Sequence, residues 1–166
     1  MDTTGAGLTY FIRKSSLSDL PAVLEVLAEN KKSGLPVETG SPRQVSEQEV
    51  ATWSRMMTTP DLTVYLAEIG DEPVGTATML VMPNVTYGCR PTAFIEAVVV
   101  KYAHRRRGVA SLLMQQALDD ARRASCFKIQ LMSHKRHAHD GAHRLYRSLG
   151  FEPEAEGFRL YLGEAH

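Results

Sequence analysis

The sequence has few of the residues that define several common classes of protein. It contains two cysteines among 166 residues, and Cys89 and Cys126 lie in neither a CxxC nor a Cys/His ligand spacing. A disulfide scaffold and a zinc ribbon are therefore unsupported, and free thiols are expected. No run approaches the ~18 apolar residues of a membrane-spanning helix, and the polar start of the chain lacks the pattern of a signal peptide. We predict a soluble, cytoplasmic protein without membrane contact.

The chain also lacks net charge, because 19 Lys and Arg residues balance 19 Asp and Glu residues. The two signs are nevertheless segregated along the sequence. Residues 97–139 hold nine basic and two acidic residues, a net charge of +7, and the remaining residues carry −7. Such segregation indicates a positive region suited to an anionic ligand. Nucleic acid is not expected to be that ligand, since aromatic residues do not alternate with the basic ones.

Strand and helix patterns follow one another with no linker between them, which predicts one domain over residues 1–166, with residues 1–8 flexible. Strands are predicted at 9–13, 62–69, 74–82, 93–100, 127–132 and 158–162, and helices at 18–30, 46–57, 108–124 and 141–149. Ser46 and Glu49 form a capping box for the second helix. The order of elements predicts an α/β fold with a mixed sheet and helices on its faces.

The most informative segment joins strand 93–100 to helix 108–124. Its basic loop and the helix start that follows consist of Arg105, Arg106, Arg107, Gly108, Val109, Ala110 and Ser111. A helix N-terminus presents unpaired N–H groups and about half a positive charge, so it can hold a phosphate. Glycine lets the backbone approach a ligand closely, and the arginines add charge. The alternative is a solvated basic loop before an ordinary amphipathic helix.

Two motifs carry a family resemblance. Arg105-x-x-Gly108-x-Ala110 after a strand resembles the Q/R-x-x-G-x-G/A pyrophosphate loop of the GCN5-related N-acetyltransferase (GNAT) family. Residues 142–151 resemble the late helix of that family, in which an Ala, a Tyr four residues on and a terminal Gly-Phe recur. The resemblance covers about residues 92–152. It implies the GNAT acyl-CoA N-acyltransferase fold, with a mostly antiparallel mixed sheet and helices on both faces, and acetyl-CoA as cosubstrate.

The resemblance also implies a role for each matched residue. Backbone groups of Val98, Val99 and Val100 would pair with the pantetheine arm of acetyl-CoA like an added strand. The N–H groups from Arg106 to Ser111 would hold the pyrophosphate. Tyr146 would act as general acid toward the leaving thiolate, with a purely packing aromatic as the alternative. His139 stands where the family often has Asn, and would donate a hydrogen bond to the pantetheine.

Glu96 is the single carboxylate in strand 93–100 and the candidate general base. An alkylamine with a pKa of about 10 must lose a proton before it can attack a thioester. Burial in the apolar run would raise the pKa of the Glu96 carboxyl. The alternatives are a buried acid with satisfied hydrogen bonds, and a carboxylate that only orients the substrate ammonium.

The resemblance therefore implies an N-acetyltransferase that acts on the primary amine of a small molecule by direct transfer in a ternary complex. Its first two helices and their loop, here residues 20–57, would shape the acceptor pocket. Neither cysteine fits the nucleophile of a ping-pong route.

The alternatives are acetylation of a peptide or protein amine, and a non-catalytic acyl-CoA-binding or regulatory module. A homodimer is a family-level expectation. No metal is predicted, because no carboxylate or thiolate completes a ligand set with the histidines at 134, 137, 139 and 143.

Overall fold

A central sheet organises the first of two compact units into which the chain divides after Leu131. The structure is a computed structural model that describes residues 9–30, 43–139 and 141–163, so the predicted flexible segment 1–8 and most of the predicted loop at 31–43 lie outside it. The sheet contains, in spatial order, β1 (Phe11–Lys14), β2 (Leu62–Ile69), β3 (Glu72–Met82), β4 (Thr92–Val100) and β5 (Lys128–Leu131). Strands β1 to β4 pair antiparallel, and β5 pairs parallel to β4. The predicted mixed, mostly antiparallel sheet is confirmed.

The described residues form four helices: α1 (Leu20–Ala28), α2 (Glu47–Thr58) and α3 (Val109–Arg123) in the first unit, and α4 (Ala142–Ser148) in the second. The first turn of helix α1 contains Pro21, whose fixed φ and missing N–H suit that position. Helix α2 begins with the predicted capping box: the Glu49 N–H donates to the Ser46 hydroxyl at 3.2 Å, and the Ser46 N–H donates to the Glu49 carboxylate at 2.9 Å. No helix within the described part of the chain is both long and apolar enough to cross a bilayer.

Helices cover both faces of the sheet. Val64 and Leu66 of β2 point to one face and form a buried cluster with α1 and α2, in which the large ring of Trp53 takes part. Tyr65, between them, points to the other face, and its hydroxyl donates to Asp120 of α3 at 2.7 Å. The alternation follows from the two-residue period of a strand. It confirms the predicted helices on both faces.

Asp120 fastens α3 to the sheet through a buried polar network. Its carboxylate accepts from the Tyr65 hydroxyl and is paired with Lys14 at 3.3 Å and with Arg123. Burial opposes ionisation, but hydrogen bonds from Tyr65, Arg123 and Lys14 hold the pKa of Asp120 below its ordinary value. The N-terminal strand, the sheet and α3 are thereby tied to one carboxylate.

The second unit begins at Met132 and contains α4. The predicted strand at 158–162 is wrong, because these residues adopt no regular secondary structure. The side chains of Phe158 and Leu162 are 88% and 94% exposed. A strand requires a neighbouring strand for its N–H and C=O groups, and within the described residues no strand forms a ladder with this segment. The alternating apolar pattern alone does not supply such a neighbour.

Candidate cofactor and catalytic site

Strand β4 is kinked at Ala97. This residue has a left-handed φ of 52°, which non-glycine residues rarely adopt. The pairing with β3 shifts at the same point, since Thr78 lies opposite Glu96 whereas Thr76 lies opposite Val99. One residue of β3 therefore faces two residues of β4, which is the arrangement of a β-bulge. The kink separates the first half of β4 from the half that leads to the basic loop.

The two halves of β4 also differ in their neighbours. Strand β5 pairs with β4 only along Thr92–Ile95. Beyond that range, within the described residues, β4 has β3 on one side and no paired strand on the other. The C-terminal half of β4 therefore has an open edge, to which an extended ligand can add as a further strand.

The backbone groups of the C-terminal half of β4 divide between the two sides. The Lys101 N–H donates to the Val74 carbonyl of β3 at 2.8 Å. Because residues two apart on a strand direct their polar groups the same way, Val99 faces β3. Val100 faces the open edge instead, as does Val98. Of the three predicted pantetheine-pairing residues, Val98 and Val100 therefore lie with their backbone groups at the open edge, and Val99 does not.

Residues 101–108, here called the cofactor loop, join β4 to α3. They comprise a short 3-10 turn over Tyr102–His104, a left-handed Arg106 at φ 60° and a left-handed Gly108 at φ 84°. Left-handed residues in a turn direct backbone N–H groups toward a common concavity that binds anions. Within the described residues, no side chain caps the N-terminus of α3, so its first N–H groups are left for a ligand.

The three arginines of the loop have different surroundings. The Arg105 Nε donates to the Val100 carbonyl at 3.0 Å, and its guanidinium lies 5.5 Å from the centre of the Tyr102 ring. Arg106 and Arg107 are exposed, and their side chains make no hydrogen bond or ion pair with any residue described. Arg105 therefore braces the loop against the end of β4, while the other two guanidinium groups are available to an anion.

Gly75 of β3 sets how closely α3 approaches the sheet. A Cβ atom at this position would lie 3.0 Å from Val109 Cγ1 and 3.1 Å from Leu113 Cδ1. Both of these α3 residues are buried, so they have little room to move. The absence of a side chain at Gly75 thus allows the first turns of α3 to rest directly on β3. No local sequence pattern marks Gly75 as a close-approach position.

Glu96 is exposed, so its predicted burial is wrong. Along β4, Ile95 is buried, and strand alternation turns the next side chain to the opposite face. Thr78 pairs with Glu96 on one side and with Val64 on the other, which puts all three on the sheet face that carries α1 and α2. The desolvation invoked from the apolar run is therefore missing, and Glu96 is a carboxylate open to solvent on this face.

Tyr146 and His139 belong to the second unit, whereas Glu96 and the cofactor loop belong to the first. Tyr146 is half-buried in α4, and its ring meets Phe151 edge-on at 6.1 Å between ring centres. Gly150 ends the helix at φ 89°, which lets the Phe151 N–H return to the Tyr146 carbonyl at 3.0 Å. The Gly-Phe of the motif thus closes the helix. His139 is exposed and lies before α4 begins.

The start of the cofactor loop is anchored to α1 by contacts that the sequence motifs do not predict. The Lys101 side chain is buried, and its Nζ lies 2.5 Å from Glu25 Oε1. The Tyr102 N–H donates to Glu29 Oε2, also at 2.5 Å. Two acidic residues one turn apart at the C-terminal end of a helix can be recognised in a sequence. They indicate a contact outside the helix, because the helix dipole disfavours both carboxylates and their charges repel each other.

The β2–β3 hairpin and the chain before β1 add further anchors. Glu72 Oε1 lies 3.6 Å from Lys101 Nζ and 3.5 Å from His104 Nε2. The other ring nitrogen of His104 lies 3.2 Å from the Tyr10 hydroxyl. The turn over Tyr102–His104 is therefore held from three directions.

The histidines do not assemble a metal centre within the described residues. No group of three His, Cys, Asp or Glu side chains there is close enough to hold a metal ion. His143 Nε2 instead lies 3.1 Å from the Ser133 hydroxyl, inside the second unit.

Comparison with known proteins decides the family. The family model described as the acetyltransferase (GNAT) family matches residues 24–151. The chain belongs to the GNAT family. This GNAT chain is 30% identical over 89 residues to a curated relative from Trypanosoma brucei brucei named glucosamine 6-phosphate N-acetyltransferase. The match covers 54% of this chain and 57% of the relative, so the chain spans little more than half the length of that protein.

Two solved structures resemble the GNAT chain over nearly its whole length. A candidate acetyltransferase from Agrobacterium tumefaciens str. C58 is 31% identical, with a TM-score of 0.77 and coverage of 91% of this chain and 99% of the other. A transcriptional regulator from Bacillus halodurans C-125 is 25% identical, with a TM-score of 0.80 and coverage of 93% and 100%. The predicted GNAT family and fold are confirmed, and membership supports the predicted enzyme class, an acetyl-CoA-dependent N-acyltransferase.

Proposed function

We propose that this GNAT chain transfers the acetyl group of acetyl-CoA to the primary amine of a small molecule, directly and with both substrates bound. The observation that carries the proposal is one continuous stretch: the open edge of β4, the cofactor loop with its left-handed residues, and the uncapped N-terminus of α3. An open strand edge fits an extended amide-containing arm, and a helix N-terminus fits a phosphate. Coenzyme A has both of these groups, since its pantetheine is an extended amide-containing arm and its pyrophosphate is a phosphate group.

Direct transfer requires three proton movements. The ammonium group first loses one proton, and the amine nitrogen then bonds to the thioester carbonyl carbon. The carbon–sulfur bond breaks, the departing thiolate receives one proton, and the new amide nitrogen loses a second proton, which restores the group that protonated the thiolate. Glu96 is our candidate acceptor of the first proton, directly or through a water molecule, and Tyr146 is our candidate donor to the thiolate. Reference pKa values of about 10 for a phenol and about 8.5 for a thiol make the transfer to the thiolate feasible without large tuning.

The exposed carboxylate of Glu96 is compatible with two roles. As general base it would take the ammonium proton, and as an orienting group it would only hold the ammonium by charge. Glu96→Gln separates the roles, because it keeps the size of the side chain and removes the charge. Loss of a base lowers kcat most at low pH, where the amine is protonated, whereas loss of an orienting charge raises the KM for the amine.

For Tyr146, the edge-on contact with Phe151 shows that the ring also packs within its unit. Tyr146→Phe keeps that packing and removes the hydroxyl. A catalytic hydroxyl predicts a lower kcat, and a purely packing ring predicts no change in kcat.

The cysteines favour direct transfer over an acetyl-cysteine intermediate. Burial raises the pKa of the Cys126 thiol, which keeps it protonated and a weak nucleophile. Cys89 is exposed and follows Gly88 in the connection between β3 and β4, away from the cofactor loop in the sequence.

A small cationic amine is the substrate that we propose. The residues outside 97–139 carry a net charge of −7, which attracts an ammonium ion. The name of the T. brucei brucei relative makes glucosamine 6-phosphate one compound to test, and a peptide or protein amine is the alternative acceptor. A single domain over 1–166, a cytoplasmic location and a homodimer remain predictions.

A non-catalytic regulatory module is the second candidate function. It is favoured by the resemblance to the B. halodurans protein, which is named as a transcriptional regulator. Such a module would bind acetyl-CoA and release no thiol with any amine.

The deciding experiment follows thiol release from acetyl-CoA across amino sugars, glucosamine 6-phosphate, amino acids and a peptide amine. The native chain is compared with Glu96→Gln and Tyr146→Phe, and with Asp71→Asn, an exposed hairpin-tip control that removes the same charge as Glu96→Gln. We expect amine-dependent release that falls in the first two variants and not in the control. A rise in Tm with acetyl-CoA but no release with any amine would favour the regulatory module, and no binding at all would refute both functions.

A further inference from the structure

We infer that Glu29, at the end of α1, is a positioning residue for acetyl-CoA: its carboxylate fixes the turn that begins the cofactor loop. The inference rests on the proposed function, because it requires the loop to hold acetyl-CoA.

The contact lies at the first residue of the turn. The Tyr102 N–H donates to Glu29 Oε2 at 2.5 Å. Tyr102 opens the 3-10 turn that the His104 N–H and the Arg105 N–H then close, by bonds of 2.9 Å to the Lys101 carbonyl and 3.2 Å to the Tyr102 carbonyl. The first N–H groups of a helical turn have no partner inside the turn, so a carboxylate placed there satisfies a donor that would otherwise be left over.

The position of Glu29 is unfavourable for α1 itself. Glu29 is the residue that caps the C-terminal end of the helix, Glu25 lies one turn before it, and no basic residue occupies the last turn. Carboxylates are disfavoured at that end by the helix dipole, and like charges four residues apart repel. Both carboxylates contact the loop instead, Glu25 through Lys101 and Glu29 through the backbone of Tyr102. Their placement is therefore explained by the loop rather than by the helix.

The anchored turn leads directly into the residues that would hold the pyrophosphate. Arg105 follows the turn and is bonded to the Val100 carbonyl, and Arg106 and Gly108 then adopt left-handed conformations before α3. At the other end, α3 rests on Gly75. With both ends fixed, the N–H groups between them are preorganised, so less conformational freedom is lost when an anion binds. Loss of the Glu29 contact would free the Tyr102 end of the cofactor loop and remove part of that preorganisation.

The sign of the effect distinguishes positioning from simple electrostatics. A negative charge near a phosphate site repels the ligand, so by charge alone Glu29→Ala should strengthen acetyl-CoA binding. Positioning predicts the opposite, a weaker complex. Glu29→Gln adds a second distinction, because the amide oxygen can still accept the Tyr102 N–H although the charge is gone.

The experiment measures the Kd for acetyl-CoA by isothermal titration, with urea unfolding of each variant alongside. We expect about tenfold weaker binding for Glu29→Ala, and values within about twofold of native for Glu29→Gln and the charge control Asp71→Asn. In an assay with an accepted amine, Glu29→Ala should raise the KM for acetyl-CoA and leave kcat near its native value. Glu29→Asp keeps the charge but has a shorter reach, and it is expected to weaken binding as well, so the test does not depend on one variant folding.

Native-like or tighter binding by Glu29→Ala would overturn the inference, and so would equal weakening by Glu29→Gln and Glu29→Ala. These outcomes leave the proposed function standing, provided that the native chain binds acetyl-CoA. Failure of the native chain to bind overturns the proposed function and the inference together.

Discussion

The close approach of α3 to β3 yields the sharpest prediction on stability. In Gly75→Ala, the added Cβ would lie 3.0 Å from Val109 Cγ1, 3.1 Å from Leu113 Cδ1 and 3.3 Å from the Val99 carbonyl oxygen. Overpacking of this kind costs about 1–3 kcal/mol. The loss of glycine flexibility in the unfolded chain offsets about 0.4–1 kcal/mol. With mid-range values, about 2 kcal/mol of overpacking less about 0.7 kcal/mol leaves a decrease of about 1 kcal/mol in the free energy of unfolding.

Urea unfolding measures this loss as a lower midpoint with an unchanged m-value. The same substitution displaces the first turn of α3, so it should also raise the Kd for acetyl-CoA. Val109→Ala removes the closest of the three crowded atoms. In a double-mutant cycle, Gly75→Ala should therefore cost less in the Val109→Ala background than in the native chain, by about 0.5 kcal/mol or more.

Two results would refute this reasoning. One is a Gly75→Ala variant that is as stable as the native chain or more stable, and the other is a cycle in which the two substitutions are additive. Either would mean that α3 does not rest on the bare backbone of β3.

Three further predictions concern the loop and the network beneath α3. Gly108→Ala places a Cβ in open space but at a φ of 84°, so backbone strain alone should lower the free energy of unfolding by about 1–2 kcal/mol. The same strain should weaken acetyl-CoA binding. An unchanged urea midpoint and an unchanged Kd would contradict this prediction. Tyr65→Phe removes a buried donor to Asp120 and should lower the free energy of unfolding, measured in urea, by about 1–3 kcal/mol. An unchanged urea midpoint would mean that this hydrogen bond does not stabilise the fold. Asp120→Asn should destabilise the protein at pH 7, and the deficit should shrink as the pH falls through about 4 and below. A carboxyl whose pKa is lowered by folding stabilises the protein above its ordinary pKa of about 3.9, and this stabilisation is lost as the pH falls through the lower folded value. A deficit that stays constant or grows in acid would contradict the assignment.

Much of the fold could be predicted because its signals are local. The capping box of Ser46 and Glu49, the β2–β3 hairpin around Gly70 and the apolar stripe of α3 all depend on residues close in sequence. The basic loop with Gly108 was equally visible, since a left-handed residue before a helix favours glycine.

The remaining features depend on residues that are distant in sequence. The crowding at Gly75 involves side chains of α3 more than thirty residues later, and the anchor at Glu29 involves a backbone N–H of the cofactor loop. Glu96 was expected to be buried because its neighbours are apolar, but strand alternation turns it to the opposite face from Ile95. The segment 158–162 has the composition of a strand, yet strand formation depends on a partner that composition does not reveal.

The central claim is that this GNAT chain moves an acetyl group from a thioester to an amine nitrogen. The most direct test incubates the native chain with acetyl-CoA labelled in the acetyl group and with the best amine of the panel, and then measures the labelled amide by mass spectrometry together with the free thiol. We expect one labelled amide for each thiol released, with both products reduced in Glu96→Gln. Thiol release without a labelled amide, or neither product with any amine, would contradict it.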